Sequence, residues 1–227
     1  MVPLSATAIN PNRKSGPIMN IIDITMELID PRGTFTGDPQ ASVVHDKRIY
    51  KGDRFNTSLI TCSSHTGTHI DVPFHFKDNG AMLSSIGLQA LCGYTYVAEI
   101  PDTQVITAAH LNEASIEKKA TRLLLKSSST GDPSGSGGNS QLLSLDRTGA
   151  NWIIKNGISI VGVESMTVEP PDDSGFLVHQ QLLNQNIIIL EGLELQRVAT
   201  GWYTLYCLPL KIGDVDGAPV RAILVSD

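Results

Sequence analysis

The sequence predicts a single α/β domain built on a mixed β-sheet with flanking helices. Seven short runs rich in β-branched and aromatic residues are interspersed with three segments of helical periodicity. The chain has 227 residues, of which 41% are hydrophobic, and this is enough for one substantial core. We therefore expect residues 21–227 to form one domain. Residues 1–20 mix Asn, Pro, Lys and Arg and are predicted to form an N-terminal extension.

Turns, strands, helices and two loop segments are predicted along the chain after the N-terminal extension. Turn signals at residues 30–33 and 37–39 flank Phe35, so this loop could carry an aromatic ring to a ligand or only anchor itself in the core. Strands are predicted at residues 55–62, 94–100, 122–125, 158–163, 187–190, 203–208 and 220–225. Helices fit residues 107–119, 145–156 and 175–185. Residues 127–139 are rich in Gly and Ser and predict a mobile loop or a substrate lid, and residues 213–217 predict a turn.

Composition narrows the class of partner. The net charge of −6 and the pI near 5.5 argue against nucleic acid and anionic membranes, and so favour a small molecule. No apolar run is long enough to span a bilayer, and no signal peptide is evident. Three widely spaced cysteines suit reduced thiols better than disulfides, so we expect a cytoplasmic protein.

The most informative segment runs from residue 65 to residue 75. It contains His65, His69, Asp71 and His75. Side chains two apart in a strand share a face, so the last three of these look one way, while apolar residues between them face a core. A straight strand of this length would span roughly 33 Å, too far for one metal centre. The chain is therefore predicted to bend at Gly67 and Pro73, in a strand-and-turn segment rather than a helix.

Clustering makes a metal or catalytic site the preferred interpretation of this segment. A lone histidine is usually a core or surface residue, but three with an aspartate are the donors that divalent metals bind. Cys62, three residues before His65, could be a further ligand, although a free cysteine is more often a small buried hydrophobe. His45 and His110 have no such neighbours and are predicted to be structural or solvated.

Two downstream residues could complete the site. Glu191 follows a run of four aliphatic residues, so its carboxylate lies at the end of a predicted buried strand, where α/β sheets present ligands. His179 lies in a predicted helix. From spacing alone, His179 is more often a core or capping residue, and Glu191 is equally a ligand or an exposed strand end.

The 65–75 segment fits the pattern His-x-Gly-Thr-His-x-Asp-x-Pro-x-His and thereby resembles the cyclase family of metal-dependent hydrolases, which includes bacterial kynurenine formamidase and isatin hydrolase. Further similarity extends over most of the chain, including the twelve-residue interval from His179 to Glu191 and the stretch from residue 208 to residue 222. The resemblance implies a fold of the swivelling β/β/α type.

The resemblance also implies roles. His65, His69 and Asp71 would bind one divalent metal, Asp71 and Glu191 would bridge to a second, and His179 would complete that second shell. Two Zn²⁺ ions are expected, with Mn²⁺ as an alternative. His75 would be the catalytic acid/base, returning a proton to the departing nitrogen when water attacks an amide carbonyl.

The implied activity is hydrolysis of an amide C–N bond, with N-formylkynurenine as the first substrate, which would give kynurenine and formate. Phe35 aligns with a tryptophan of the formamidase and is the expected substrate contact. Glu164 stands where related sequences have aspartate. Because of these two differences, the shape of the pocket could differ from that of the formamidase. A cyclic amide such as isatin, or a lactone, is the alternative substrate. A metal-binding protein without turnover is the alternative of another class, although the acid/base His75 argues against it. Family relatives commonly form dimers, which implies a homo-oligomer.

Overall fold

The computed structural model describes residues 19–35, 37–101, 103–128, 143–170 and 175–226. Its strands are β1 (Asn20–Asp23), β2 (Ser42–Lys47), β3 (Thr57–Thr61), β4 (His69–Asp71), β5 (Cys92–Ile100), β6 (Val105–Ile106), β7 (Arg122–Ser127), β8 (Ser144–Leu145), β9 (Ile160–Val163), β10 (Ile188–Glu191), β11 (Gly201–Pro209) and β12 (Gly217–Ser226). The helices are α1 (Ala108–Glu113), α2 (Arg147–Lys155) and α3 (Leu177–Leu183).

One mixed sheet dominates the fold and closes on itself. Its order is β1-β12-β11-β5-β7-β9-β10-β4, and the first residues of β12 also pair with β4. β5, β7, β9 and β10 are mutually parallel, whereas β1, β4, β11 and β12 make antiparallel pairs. The long β12 thus joins both ends of the ladder into a barrel-like ring. The predicted mixed sheet with flanking helices is confirmed.

Side chains along the parallel strands point alternately to the two faces of the sheet, and each face packs into its own core. In β7, Leu124 faces the interior of the ring, while Leu123 and Leu125 face the helices. The same alternation separates Leu190 from Ile189 in β10. Strands buried on both faces read as continuous aliphatic runs, which is why their pattern was visible in the sequence.

Helix ends were the least accurate predictions. The helix predicted at residues 107–119 is capped by Thr107 but ends at Glu113, because the chain turns at Ser115, which has a φ of +51°. The helices predicted at 145–156 and 175–185 are each shortened at both ends. The strands β1 and β2 were not predicted, and Asn20, assigned to the N-terminal extension, belongs to β1. Residues 1–18 and 129–142, which contain the rest of that extension and most of the predicted loop or lid, lie outside the described residues.

Within the part of the chain that the structure describes, no helix is both long and apolar enough to cross a membrane.

Candidate metal centre

The motif segment bends where the sequence predicted. Gly67 has a φ of +63°, a left-handed conformation that glycine adopts without steric cost. After the three residues of β4, Pro73 begins a 3-10 turn that ends at His75. Ile70 and Val72 are buried inside the ring, which leaves the polar side chains of β4 facing the opposite way.

Strand register brings the other groups to β4. In the β4–β10 pair, His69 lies opposite Glu191. Glu191, which was predicted to follow a buried strand directly, is the last residue of β10. In the β4–β12 pair, Gly217 lies opposite Asp71, which places Asp216 beside the motif. A Cβ on Gly217 would lie 2.5 Å from the carbonyl oxygen of Ile70, so only glycine allows this close approach.

Two buried carboxylates stand between three imidazoles. Asp71 Oδ1 is 2.8 Å from His65 Nδ1 and 3.4 Å from His69 Nε2. Glu191 Oε2 is 3.2 Å from the same His69 nitrogen. On the other side, His179 Nε2 is 3.4 Å from Asp71 Oδ2 and 3.3 Å from Glu191 Oε1. Each carboxylate therefore presents one oxygen to each side of the cluster.

The 3.2–3.4 Å spacings around His69 and His179 fit metal ligation, whereas the 2.8 Å contact of His65 with Asp71 is a hydrogen-bond distance. Ligands at about 2.0–2.1 Å from a tetrahedral centre lie about 3.3 Å from one another. Asp71 Oδ2 is buried and makes no hydrogen bond, which is costly for a carboxylate oxygen unless a cation faces it. Imidazole and carboxylate donors are the set that zinc binds and manganese accepts. The residues present thus fit one or two divalent ions.

Hydrogen bonds orient two of the imidazoles. His69 Nδ1 donates to the carbonyl oxygen of Gly67 at 2.9 Å, and His179 Nδ1 lies 3.0 Å from Glu169 Oε1. With a proton on Nδ1, each ring turns Nε2 toward the carboxylates, and loss of the proton from Nε2 would free its lone pair for a metal. The Glu169 carboxylate also accepts the backbone N–H of His179 at 2.7 Å, which fixes the position of this residue at the start of α3.

Without a bound ion, the charges of the cluster shift its pKa values in opposite directions. Burial lowers the pKa of His65, but its hydrogen bonds and charge interactions with Asp71 and Asp216 outweigh burial and raise that pKa to about 9. The pKa of His179 is raised well above 6.5, since its carboxylate neighbours likewise outweigh burial. Burial alone would raise the pKa of Asp71, yet its contacts with His179 and His65 hold it well below 3.8.

His75 differs from the other imidazoles. Its ring stacks on His65 with centroids 4.0 Å apart, and its Nδ1 is 3.3 Å from Asp216 Oδ2. Burial is the main cause that lowers its pKa below 6.5, and the nearby imidazoles add to this. The side chain retains 26% exposure, so it is accessible from the cavity. Its lowered pKa favours the neutral ring at pH 7. These are the properties of a group that accepts and returns protons.

A cavity of about 220 Å³ opens over the cluster. Phe35 lines it, so the loop between the two turn signals does carry its aromatic ring to the site. Phe76 and Phe176 lie on the same wall, with ring centroids 5.5 Å apart, and Phe35 is 6.4 Å from Phe176. One wall of the cavity is thus aromatic, while the metal-ligand cluster lines it with ionisable groups.

Sequence reasoning missed several residues of this site. Asp216 lies in the segment predicted as a turn, and its Oδ2 is 2.8 Å from His65 Nε2. Glu169 supports His179, and Phe76 and Phe176 line the cavity. Phe76 directly follows the motif and could have been singled out, but the other three depend on tertiary contacts.

The remaining candidates lie elsewhere. Ligand atoms cluster in two groups among the described residues, namely His65, Asp71 and His75, and His69, Asp71 and Glu191. Cys62 belongs to neither group, and because it is exposed, the preferred expectation of a small buried hydrophobe was wrong. His45 is exposed and His110 caps α1, as predicted. Glu164 is not among the residues that line the cavity; its carboxylate accepts the backbone N–H of Ser127 at 2.7 Å, and burial raises its pKa.

Comparison with known proteins agrees with this geometry. The Cyclase family model matches residues 22–170. A kynurenine formamidase from Bacillus thuringiensis subsp. konkukian is 35% identical over 203 residues, which cover 89% of this chain and 96% of the relative.

Solved structures share the fold. A predicted metal-dependent hydrolase from Bacillus stearothermophilus superposes with a TM-score of 0.77 at 24% identity, covering 92% of this chain and 100% of the other. Isatin hydrolase A from Labrenzia aggregata superposes with a TM-score of 0.73 at 20% identity, covering 91% of this chain and 93% of the other. Since the family model matches well over half of the residues and the formamidase aligns along nearly the whole length, this chain belongs to the Cyclase family.

Proposed function

We propose that the protein is a metal-dependent hydrolase that cleaves the C–N bond of an amide, with N-formylkynurenine as its first candidate substrate. One observation carries the proposal. Two buried carboxylates and three imidazoles present ligand atoms 2.8–3.4 Å apart around a cavity, and the imidazole of His75, whose pKa is lowered by burial, stands beside them.

The cluster divides into two candidate shells that share the carboxylates. We propose that His65, His69 and Asp71 hold one ion, that Asp71 and Glu191 bridge to a second, and that His179 completes the second shell. The opposed oxygens of Asp71 support this division, because Oδ1 faces His65 and His69 whereas Oδ2 faces His179. Two Zn²⁺ ions are the proposed occupants, with Mn²⁺ as the alternative. When bound, such ions polarise a carbonyl and lower the pKa of water.

His75 would move the protons of the reaction. Its lowered pKa leaves the ring neutral at pH 7, so it can accept a proton from the attacking water as the new C–O bond forms. The same proton then passes to the amide nitrogen as the C–N bond breaks, which yields an amine and a carboxylic acid. Asp216, 3.3 Å from His75 Nδ1, would hold the ring in position.

The cavity supports an aryl amide as substrate. Phe35, Phe76 and Phe176 offer rings against which an aromatic group can pack. A volume of about 220 Å³ suits a small molecule of this kind. The relative from Bacillus thuringiensis is named kynurenine formamidase, which favours N-formylkynurenine. The isatin hydrolase among the solved structures makes isatin, another cyclic amide or a lactone the second candidate.

Hydrolysis assays with a matched variant test the proposal. Wild type, His75→Ala and His110→Ala are loaded with Zn²⁺ or Mn²⁺ and assayed on N-formylkynurenine, isatin and a simple lactone. We expect wild type and His110→Ala, whose imidazole caps a distant helix, to hydrolyse the formamide. His75→Ala should lose about 10²- to 10⁴-fold in kcat while retaining its metal. A loaded wild type that is inactive on all three compounds would leave the non-catalytic metal-binding alternative in place.

We also propose the partner, the cellular compartment and the oligomeric state of the protein. A small molecule is the partner that the cavity accommodates, and three free cysteines fit a reducing cytoplasm. We infer that the protein forms a homo-oligomer.

A further inference from the structure

Among the described residues, the cavity has one charged lining side chain that belongs neither to the proposed metal ligands nor to His75. This side chain is Asp38. The other lining residues outside the ligand cluster are uncharged: Phe35, Phe76, Met166, Thr167 and Phe176. No described lining residue is Lys or Arg. Asp38 is therefore the group with which a charged part of a substrate, remote from its amide, can pair.

The Asp38 carboxylate is positioned at the cavity and has few partners of its own. Its backbone N–H donates to the carbonyl oxygen of Phe35 at 3.0 Å, so one turn brings both side chains to the cavity. Ser63 Oγ donates to Asp38 Oδ2 at 3.4 Å and accepts the backbone N–H of His65 at 3.4 Å, which links Asp38 to the ligand segment. Within the described part of the chain, no Lys, Arg or His forms an ion pair with Asp38. A half-buried carboxylate with one long hydrogen bond can accept a cationic donor.

The sequence offers little that could bind a substrate carboxylate at this cavity. The internal residues outside the described ranges, at 36, 102, 129–142 and 171–174, contain four Asp and no Lys or Arg. Outside the described residues, basic side chains occur at Arg13 and Lys14 of the N-terminal extension. The charge balance of the cavity lining thus favours an ammonium group over a carboxylate on the remote part of a substrate.

The aromatic wall of the cavity favours the same kind of substrate. Phe176 precedes α3 with a φ of +51° and a ψ of +42°, a left-handed conformation that is uncommon for a bulky residue. Its ring centroid lies 6.4 Å from that of Phe35 and 5.5 Å from that of Phe76. Phenyl rings pack against an aryl group, and their faces also attract an ammonium group. The wall and Asp38 together fit an aryl compound whose side chain ends in a cation.

We propose that Asp38 selects formylated arylamines whose side chain carries an ammonium group, by pairing with that group in the cavity. The inference rests on the proposed amide hydrolysis, which supplies the aryl formamide. N-formylkynurenine meets the requirement through its α-ammonium group, and its α-carboxylate adds no recognition. A charge-assisted hydrogen bond of this kind corresponds to about a 10- to 100-fold difference in kcat/KM.

Four 2-formamidophenyl ketones test the proposal on metal-loaded protein. N-formylkynurenine carries both charged groups, and three analogues carry only the ammonium, only the carboxylate, or neither. Both kcat and KM are measured for wild type, Asp38→Asn, Asp38→Glu and the control Asp78→Asn, whose carboxylate is exposed and does not line the cavity. Calorimetry with the four matching arylamines measures recognition without turnover. Urea unfolding checks that each variant folds.

We expect wild type and Asp78→Asn to prefer the ammonium analogue over the neutral one by about 10- to 100-fold in kcat/KM, mainly through KM. Asp38→Asn should reduce this ratio to less than about threefold, whereas Asp38→Glu, which restores the charge, should retain part of it. High salt should lower the ratio of wild type. Removing the carboxylate from N-formylkynurenine should cost less than removing the ammonium.

Several results would overturn the selection by Asp38 while leaving amide hydrolysis in place. One is an equal preference ratio in wild type and Asp38→Asn, including the case in which the variant loses activity on all four compounds alike. Another is a larger loss from removing the carboxylate than from removing the ammonium. If wild type hydrolyses none of the compounds, the proposed function fails and calorimetry decides about Asp38. Binding of the ammonium arylamine that is about 10-fold or more tighter in wild type than in Asp38→Asn would then support the selection, and equal affinities would refute it.

Discussion

Loading the metal-free protein with Zn²⁺ should release protons, because carboxylate neighbours keep the ligand imidazoles protonated. His65, with a pKa of about 9, carries nearly one full proton at pH 7.5. The pKa values of His69 and His179 are also raised, since their carboxylate contacts outweigh burial. A ligand imidazole must be neutral to bind a metal, so each contributes to the release. We expect about one proton from His65 and up to about three in total per chain at pH 7.5.

Calorimetric titration in buffers of different ionisation enthalpy measures this number directly. His65→Gln should lower the release by about one proton. His75→Ala is the control, and it should leave the number unchanged because burial lowers the pKa of His75 and its ring is already neutral. Release of fewer than about half a proton at pH 7.5 by wild type would refute the assignment of paired imidazolium and carboxylate groups.

Three further predictions concern support of the site and stability. Glu169→Gln keeps the shape but removes the charge behind His179 Nδ1, and it should weaken metal affinity by about 10- to 100-fold in a chelator competition assay; unchanged affinity would count against its orienting role. Gly192→Ala should destabilise the protein by about 2 kcal/mol or more, since Gly192 has a φ of +68° and a Cβ would lie 2.6 Å from the carbonyl oxygen of Gly67. Gly213→Ala, at a φ of +103° in open space, should cost less in the same urea unfolding series, and equal losses would contradict the clash. In chelated protein, the raised pKa of His65 contributes about 3 kcal/mol to the free energy of unfolding. This contribution is fully present below pH 6.5 and is lost as the pH rises through about 9. Unfolding free energies that stay flat between pH 6.5 and 9.5 would contradict this contribution.

The local part of the site was predictable from sequence. The 65–75 segment carries its ligands at positions that a bent strand brings together, so spacing alone predicted the bends at Gly67 and Pro73. Glu191 was singled out because a continuous aliphatic run predicts a buried strand with a carboxylate at its end, but the choice between a ligand and an exposed strand end came from the family resemblance.

The parts of the site that depend on tertiary contacts were not predictable. Asp216 lies in a segment for which the sequence predicted only a turn, and the pairing of β12 with β4 brings it to His65. Glu169 reaches His179 through a loop conformation that no local pattern encodes. β2 escaped prediction in part because it has adjacent valines on opposite faces, which breaks the period-two pattern of a half-buried strand.

Metal dependence of amide hydrolysis is the decisive measurement for this site. Protein stripped with a chelator is assayed on N-formylkynurenine during stepwise addition of Zn²⁺ or Mn²⁺, with bound metal counted by elemental analysis at each step. We expect no activity in the stripped protein and an activity that rises with bound metal and saturates at about two ions per chain. Full activity in the stripped protein, or failure to bind any divalent ion, would contradict this expectation.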